Sequence, residues 1–259
     1  MRMAPPRKDR YAGLIKSAEE IERMRRAGQE LAPIRSRMAD MVRPGVSTEE
    51  LDRVAREMVE AVGAKPAFLG YHGFPATICA SINEEVVHGI PSPERRLRVG
   101  DMISIDIGLI HYGFYADTAF TVAVGHVSQE VQRLIEATRR ALDVGIEAAR
   151  PGRRVGDVSA AIQGFVEAES FSVVREYTGH GIGREMHEDP KIPNYGVRGQ
   201  GLRLREGMVL ALEPMVNAGT WRTETLGDGW TVVTADRRPS AHFEHTIALT
   251  KNGAEILTA

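Results

Sequence analysis

Four acidic residues stand in segments that otherwise read as buried β-strands, where Asp and Glu are depleted. Asp106 and Asp117 lie in SIDIGLIHYGFYADTAFTV, Glu213 ends MVLAL, and Glu244 lies in AHFEHTIAL. An ionised carboxylate buried without a partner is very costly. Each acid therefore reaches water at a strand end or sheet edge, or faces a cation. If the turn of the first segment is centred between His111 and Tyr112, residues whose numbers sum to 223 face each other, and Asp106 pairs with Asp117 on one face of a hairpin. Two like charges so placed repel unless something positive lies between them. His180, in TGHGIGREMHEDP, completes a set of Asp106, Asp117, His180, Glu213 and Glu244. These are oxygen donors except for one imidazole, which suits Mn, Fe or Co better than a thiolate-bound structural zinc. Four carboxylates carry a charge of about −4, which balances two divalent ions rather than one. Two metals about 3.5 to 4 Å apart hold a hydroxide between them and polarise the group under attack, an arrangement for hydrolysis. Spacing alone leaves an amide and a phosphoester equally open.

Other chemistries find less support. His180 and His187 are seven residues apart, unlike the i, i+4 pair of a helical zinc site, and neither GxGxxG nor GxxxxGK[ST] occurs in the glycine-rich stretch. The glycines flanking His180 are expected to let the backbone bend sharply there. His88, in EEVVHGIP, reads by itself as a structural histidine more readily than a catalytic one.

The elements that must position these residues are legible in outline. Ser17 with Glu20 opens a helix whose Ile21, Met24, Leu31 and Ile34 share one side, and Arg43-Pro44-Gly45 stops it. Ser47 opens a second helix with Leu51, Val54, Met58, Val59 and Val62 as its buried stripe. About 107 to 111 residues later the arrangement returns: Ser128 opens a helix, Arg150-Pro151-Gly152 repeats the stop, and Phe165-Val166-Glu167-Ala168 echoes Met58-Val59-Glu60-Ala61. The expected architecture is α/β (α+β): one domain over 17–259 with two pseudo-symmetric halves, about 17–125 and 126–259, whose helices cover strands from both. The leader 1–16 is basic and Pro-containing and is expected to be a flexible tail.

Composition excludes several classes. With 259 residues, 42% hydrophobic and 26% charged, and a formal net charge of −2, nothing calls for nucleic acid or an anionic membrane. No segment approaches the roughly 20 apolar residues of a membrane span, and no apolar run follows the basic leader as a secretory signal would require. The single cysteine, Cys79, rules out an intramolecular disulfide and a cysteine-based zinc site. A cytoplasmic location is expected.

The segments YHGFPATICASINEEVVHGIP, DIGLIHYGFYADTAF, TGHGIGREMHEDP, GMVLALEPMVNAG and SAHFEHTIALT resemble, in order and spacing, those of the bacterial type I methionine aminopeptidases of peptidase family M24. The resemblance covers nearly everything after Ser17. It implies the pita-bread fold and removal of the initiator methionine from nascent polypeptides with a small second residue, through a water bridging two divalent metals (Co, Mn or Fe). By the same resemblance Asp106 holds one metal, Asp117 and Glu244 bridge both, and His180 with Glu213 completes the other site. Glu213 is also the general base. His88 donates to the scissile amide or the leaving nitrogen, and His187 to the carbonyl oxygen. Phe68, Tyr71, Cys79, Met186 and Trp230 line the methionine pocket. Transient ribosome contact and a monomeric state are expected. In relatives Cys is frequent where Phe68 stands, an aromatic where Met186 stands, and Gln is expected at His242, to which no role is assigned. Trp221 reads as a surface or packing residue. Three rivals remain: a prolidase, which usually carries an added N-terminal domain for which the residues before the first helix leave no room; a binding protein that lost its metals; and a two-metal phosphoesterase.

Overall fold

The computed structural model describes residue 11 and residues 13–259. In chain order the described residues form α1 (Ala18–Met41), α2 (Thr48–Ala61), β1 (Lys65–Pro66), β2 (Ile78–Ile82), β3 (Glu85–Val87), β4 (Met102–His111) and β5 (Phe114–Ala123). Then come α3 (Gln129–Ala148), α4 (Val155–Ala168), β6 (Ser172–Val173), β7 (Thr178–Gly181), β8 (Glu188–Pro193), β9 (Val209–Leu212) and β10 (Met215–Asn217). The remaining strands are β11 (Thr223–Thr225), β12 (Val232–Thr234), β13 (Ser240–His242), β14 (Glu244–Thr250) and β15 (Gly253–Ile256).

The helices start where side-chain caps satisfy their first N–H groups. Ser17 and Glu20 form a reciprocal capping box on α1, Ser47 accepts from Glu50 N on α2, and Ser128 accepts from Val131 N on α3. Each helix buries one stripe, such as Met24, Ala27, Gly28, Leu31, Ile34, Met38 and Met41 of α1. Gly28 is needed for contact, since a Cβ there would lie 2.0 Å from the carbonyl oxygen of Leu257. The main core lies between these stripes and one face of the sheet, where Ile103, Ile105, Ile107 and Leu109 of β4 meet Leu31, Ile34, Leu134 and Leu142.

Nine strands form one curled, antiparallel sheet with the path β1-β4-β5-β14-β9-β7-β8, to which β15 adds on β14 and β2 on β4. This is the pita-bread arrangement of a sheet covered by helices. Two three-stranded sheets, β13-β10-β6 and β11-β12-β3, complete it. The β4–β5 hairpin corrects the expected register. Its turn is centred between Tyr112 and Gly113, both at positive φ (52° and 83°), as a two-residue type I′ hairpin requires. Asp106 therefore faces Ala119, and Asp117 faces Gly108. Shifting the turn centre by one residue moves the pairing by two, which keeps both Asp side chains on one face as diagonal rather than direct neighbours.

His180 corrects a second expectation. It sits within β7, paired with Ala211, rather than on a bend. The flanking glycines serve close approach instead: a Cβ on Gly179 would lie 2.5 Å from the Ala211 oxygen, and one on Gly181 2.1 Å from the Asp189 oxygen.

Backbone contacts recur 107 positions apart. The bridge Ser47↔Arg96 returns as Arg154↔Arg203. The bonds Gly45 N to Leu97 O and Leu97 N to Val46 O return as Gly152 N to Leu204 O and Leu204 N to Arg153 O. The expected flexible tail falls on residues 1–10 and 12, which lie outside those described, and on a stretch that is held in place: Ile15 bridges Met208, and Lys16 N donates to Gly207 O. No helix among the described residues is long and apolar enough to cross a membrane.

Candidate active site

The five proposed ligands come from five consecutive strands of the sheet. Asp106 lies on β4, Asp117 on β5, Glu244 opens β14, Glu213 follows the last residue of β9, and His180 lies on β7. All line one cavity of about 230 Å³. Asp117, His180 and Glu244 each place a donor atom within 4.8 Å of the other two. Glu213 joins through its Oε1, 3.4 Å from His180 Nε2, and Asp106 adjoins Asp117. Local hydroxyls hold the strands in place: Thr246 Oγ1 accepts from Asp117 N and donates to Asp117 O, and Thr118 Oγ1 donates to Glu244 O.

The electrostatics of this cluster call for a cation. Burial pushes the carboxyls of Asp106, Glu213 and Glu244 well above the usual carboxylate range, and neighbouring carboxylates push them further. Asp117 is raised to about 7, with burial the largest cause. Asp106 Oδ1, Asp117 Oδ1 and Glu244 Oε1 are buried with no hydrogen-bond partner, although buried polar atoms are almost always paired. His180 Nδ1 lies 2.9 Å from Gly181 O; a carbonyl only accepts, so Nδ1 carries the proton and Nε2 turns a lone pair toward Glu213. That pair of acceptors is unfavourable without a positive charge between them, and it is the orientation of a metal-ligating imidazole. The oxygen-rich donor set with one imidazole and no thiolate fits divalent transition ions.

Beside the acids lies an apolar chamber of Phe68, Phe74, Cys79 and Met186, flanked by Tyr71 and Trp230. Cys79 sits opposite Asp106 in the β2–β4 pair, so it faces the same side, and burial pushes its thiol up. His88 takes a positive φ of 61°, a left-handed backbone uncommon outside glycine, and its ring stands edge-on to Tyr177 (5.6 Å) and Trp230 (6.3 Å). Burial lowers His88 to about 4, the neighbouring His187 contributing. The His187 ring centroid is 4.4 Å from that of His180, and its Nδ1 lies 2.8 Å from the Tyr71 hydroxyl. All the residues predicted for the site thus share the cavity.

Sequence reasoning passed over His72, Phe74, Val87, Tyr177, Thr178 and Met215, which also line it. Most lie in loops or very short strands, where no periodicity marks a facing side chain. His242 stands behind the cavity, fully buried, with Nε2 unpartnered and 3.7 Å from Glu213 Oε2. Trp221 stacks on Arg175 at 4.7 Å, a packing role. A larger groove of about 830 Å³ runs between the end of β5 and α3 but holds none of these residues.

Comparison with known proteins finds similar sequences and similar folds. The chain is 50% identical over 245 residues to methionine aminopeptidase 1 of Bacillus subtilis, covering 95% of this chain and 98% of that protein. The crystal structure of methionine aminopeptidase from Rickettsia prowazekii superposes with a TM-score of 0.93 at 46% identity, covering 95% of this chain and 99% of that one. A prolidase from Pyrococcus horikoshii shares the fold, with a TM-score of 0.78 at 24% identity, over 96% of this chain but 65% of that one. The model of metallopeptidase family M24 matches residues 22–251. With that match spanning all five strands that carry the clustered acids and histidine, the chain belongs to metallopeptidase family M24.

Proposed function

We propose that this protein is a methionine aminopeptidase that removes the initiator methionine from nascent polypeptides whose second residue is small. The observation that carries this reading is a cluster of unpartnered buried carboxylate oxygens directly beside an apolar chamber. The high identity to proteins named methionine aminopeptidase supports it.

Asp106, Asp117, His180, Glu213 and Glu244 are the residues that would hold the metal, and their combined charge suits two divalent ions, with Mn, Fe or Co preferred by the donor set. When bound, such ions supply Lewis acidity toward the scissile carbonyl and an activated water. Glu213 takes the proton of the attacking water and passes it on to the leaving amine. His88 is neutral at pH 7, its value being held near 4 by burial, so it donates a hydrogen bond to the scissile amide or leaving nitrogen without adding charge. His187 donates from Nε2 to the carbonyl oxygen of the tetrahedral intermediate, in the tautomer whose Nδ1 accepts from the Tyr71 hydroxyl 2.8 Å away. Phe68, Tyr71, Cys79, Met186 and Trp230 seat the methionine side chain, whose thioether suits an aromatic, polarizable lining. The chain acts as one catalytic unit of two related halves, as a cytoplasmic monomer in transient contact with the ribosome.

The test is a release assay after chelation and re-addition of single metals. Free methionine should appear from Met-Ala peptides and far more slowly from Met-Leu peptides. Hydrolysis of a phosphoester instead, preferential cleavage of X-Pro bonds, or no release with any metal would overturn the reading.

A further inference from the structure

The segment before α1 reaches the active-site wall through one buried ion pair. Lys16 Nζ lies 2.5 Å from Glu188 Oε2, with side-chain exposures of 5% and 15%, and also donates to Gly13 O at 3.0 Å. The other oxygen of Glu188 accepts from Arg184 N (2.7 Å) and Glu185 N (3.3 Å). The turn between β7 and β8 is thereby closed on a carboxylate, and this turn carries Met186 and His187, both in the cavity wall. Two glycines make room for the contact. A Cβ on Gly183 would lie 2.4 Å from Lys16 Cε, and one on Gly207 would lie 2.9 Å from Lys16 O. The backbone of Lys16 is fixed independently by its bond to Gly207 O at 2.7 Å.

We propose that Lys16 is a positioning residue: through Glu188 it clamps the turn 183–187 and so sets the placement of the His187 ring over the site. This rests on the reading of His187 as the donor to the substrate carbonyl oxygen. The physical reason is geometric: one Glu188 oxygen accepts from two backbone N–H groups of the turn while the other is anchored on the little-exposed Lys16 ammonium, so the cation fixes where the carboxylate stands. Without Lys16, Glu188 turns toward water and the turn loosens.

The test compares the parent with Lys16→Met and with Lys16→Met/Glu188→Gln, in which a neutral amide oxygen still accepts from Arg184 N. Lys16→Met should lower kcat for a Met-Ala peptide about tenfold or more, with KM within about twofold, since His187 acts on the transition state. Calorimetric affinity of the stripped protein for Mn should be unchanged, because no proposed ligand is touched. Amide hydrogen exchange should speed up at Arg184 and Glu185 but not in α3. The double variant should recover most of the lost kcat. Unchanged kcat in Lys16→Met, no recovery in the double variant, or faster exchange throughout together with weakened metal binding would each overturn the clamp. A parent that releases no methionine overturns the aminopeptidase reading instead, and the exchange rates at Arg184 and Glu185 still decide whether the clamp exists.

Discussion

The two faces of the β4–β5 hairpin are built from the same twenty residues and do opposite things. Toward the helices point Ile103, Ile105, Ile107 and Leu109 with Ala116 and Phe120, all nearly inaccessible and packed in the main core. Toward the cavity point Ser104, Asp106 and Gly108, paired with Thr121, Ala119 and Asp117. The first face stabilises the fold by removing apolar surface from water. The second holds like charges together in a poorly solvated site, which costs stability until a cation arrives. Pleat alternation lets one ribbon carry both without compromise, because neighbouring residues never share an environment.

That contrast can be broken by experiment. The largest effect is expected from Asp117→Ala, which should cut activity on the order of a thousandfold or more. Metal content should fall, yet the metal-free protein should melt no lower than the parent, since one buried like charge is gone. A large drop in its Tm would show that the cavity face also carries the fold. Ile105→Ala, on the other face, should cost about 2 to 5 kcal/mol in denaturant unfolding, while kcat per folded molecule stays at the parental value. Altered kcat there would mean that the two faces are coupled. His187→Ala should lower kcat about a hundredfold with metal content retained, and loss of metal would move His187 among the ligands.

The smallest expected effect is in pH dependence. The carboxyls of Asp106, Asp117, Glu213 and Glu244 all sit above their ordinary values in the metal-free fold, so the native state binds more protons than the unfolded chain. Their contribution is complete below the unfolded values, near about 4, and is lost as pH rises through the native ones, about 7 for Asp117. Stripped protein should therefore lose about 1 to 3 kcal/mol between pH 5 and 8, and the gain in Tm on adding metal should be larger at pH 8. A stripped protein whose melting point climbs over that interval would contradict the electrostatic picture.

Much of this could be read before any coordinates. The capped starts at Ser17, Ser47 and Ser128 depend on residues three apart, and the acids in apolar strands announced a cost that only a cation or water relieves. The motif resemblance named all five proposed ligands. The less legible features are those in which a residue depends on a distant or irregular partner. The one-residue error in the hairpin turn arose because Tyr112, a residue with no strong preference for positive φ, takes it beside Gly113. The role of the glycines around His180 was missed because they answer to Ala211 and Asp189 across the ladder, not to their own sequence neighbours. His242 behind Glu213 and Lys16 beneath Glu188 were invisible for the same reason.

By itself the sequence determined where the capped helices begin, that carboxylates enter apolar strands, and which family pattern they follow, because these depend on composition and short spacing. Only the tertiary structure decided that β4, β5, β14, β9 and β7 lie side by side in that order, so that residues as far apart as Asp106 and Glu244 share one cavity. Strand order and register are set by long-range pairing and by the packing of helices on the opposite face, and no local run of residues encodes either one.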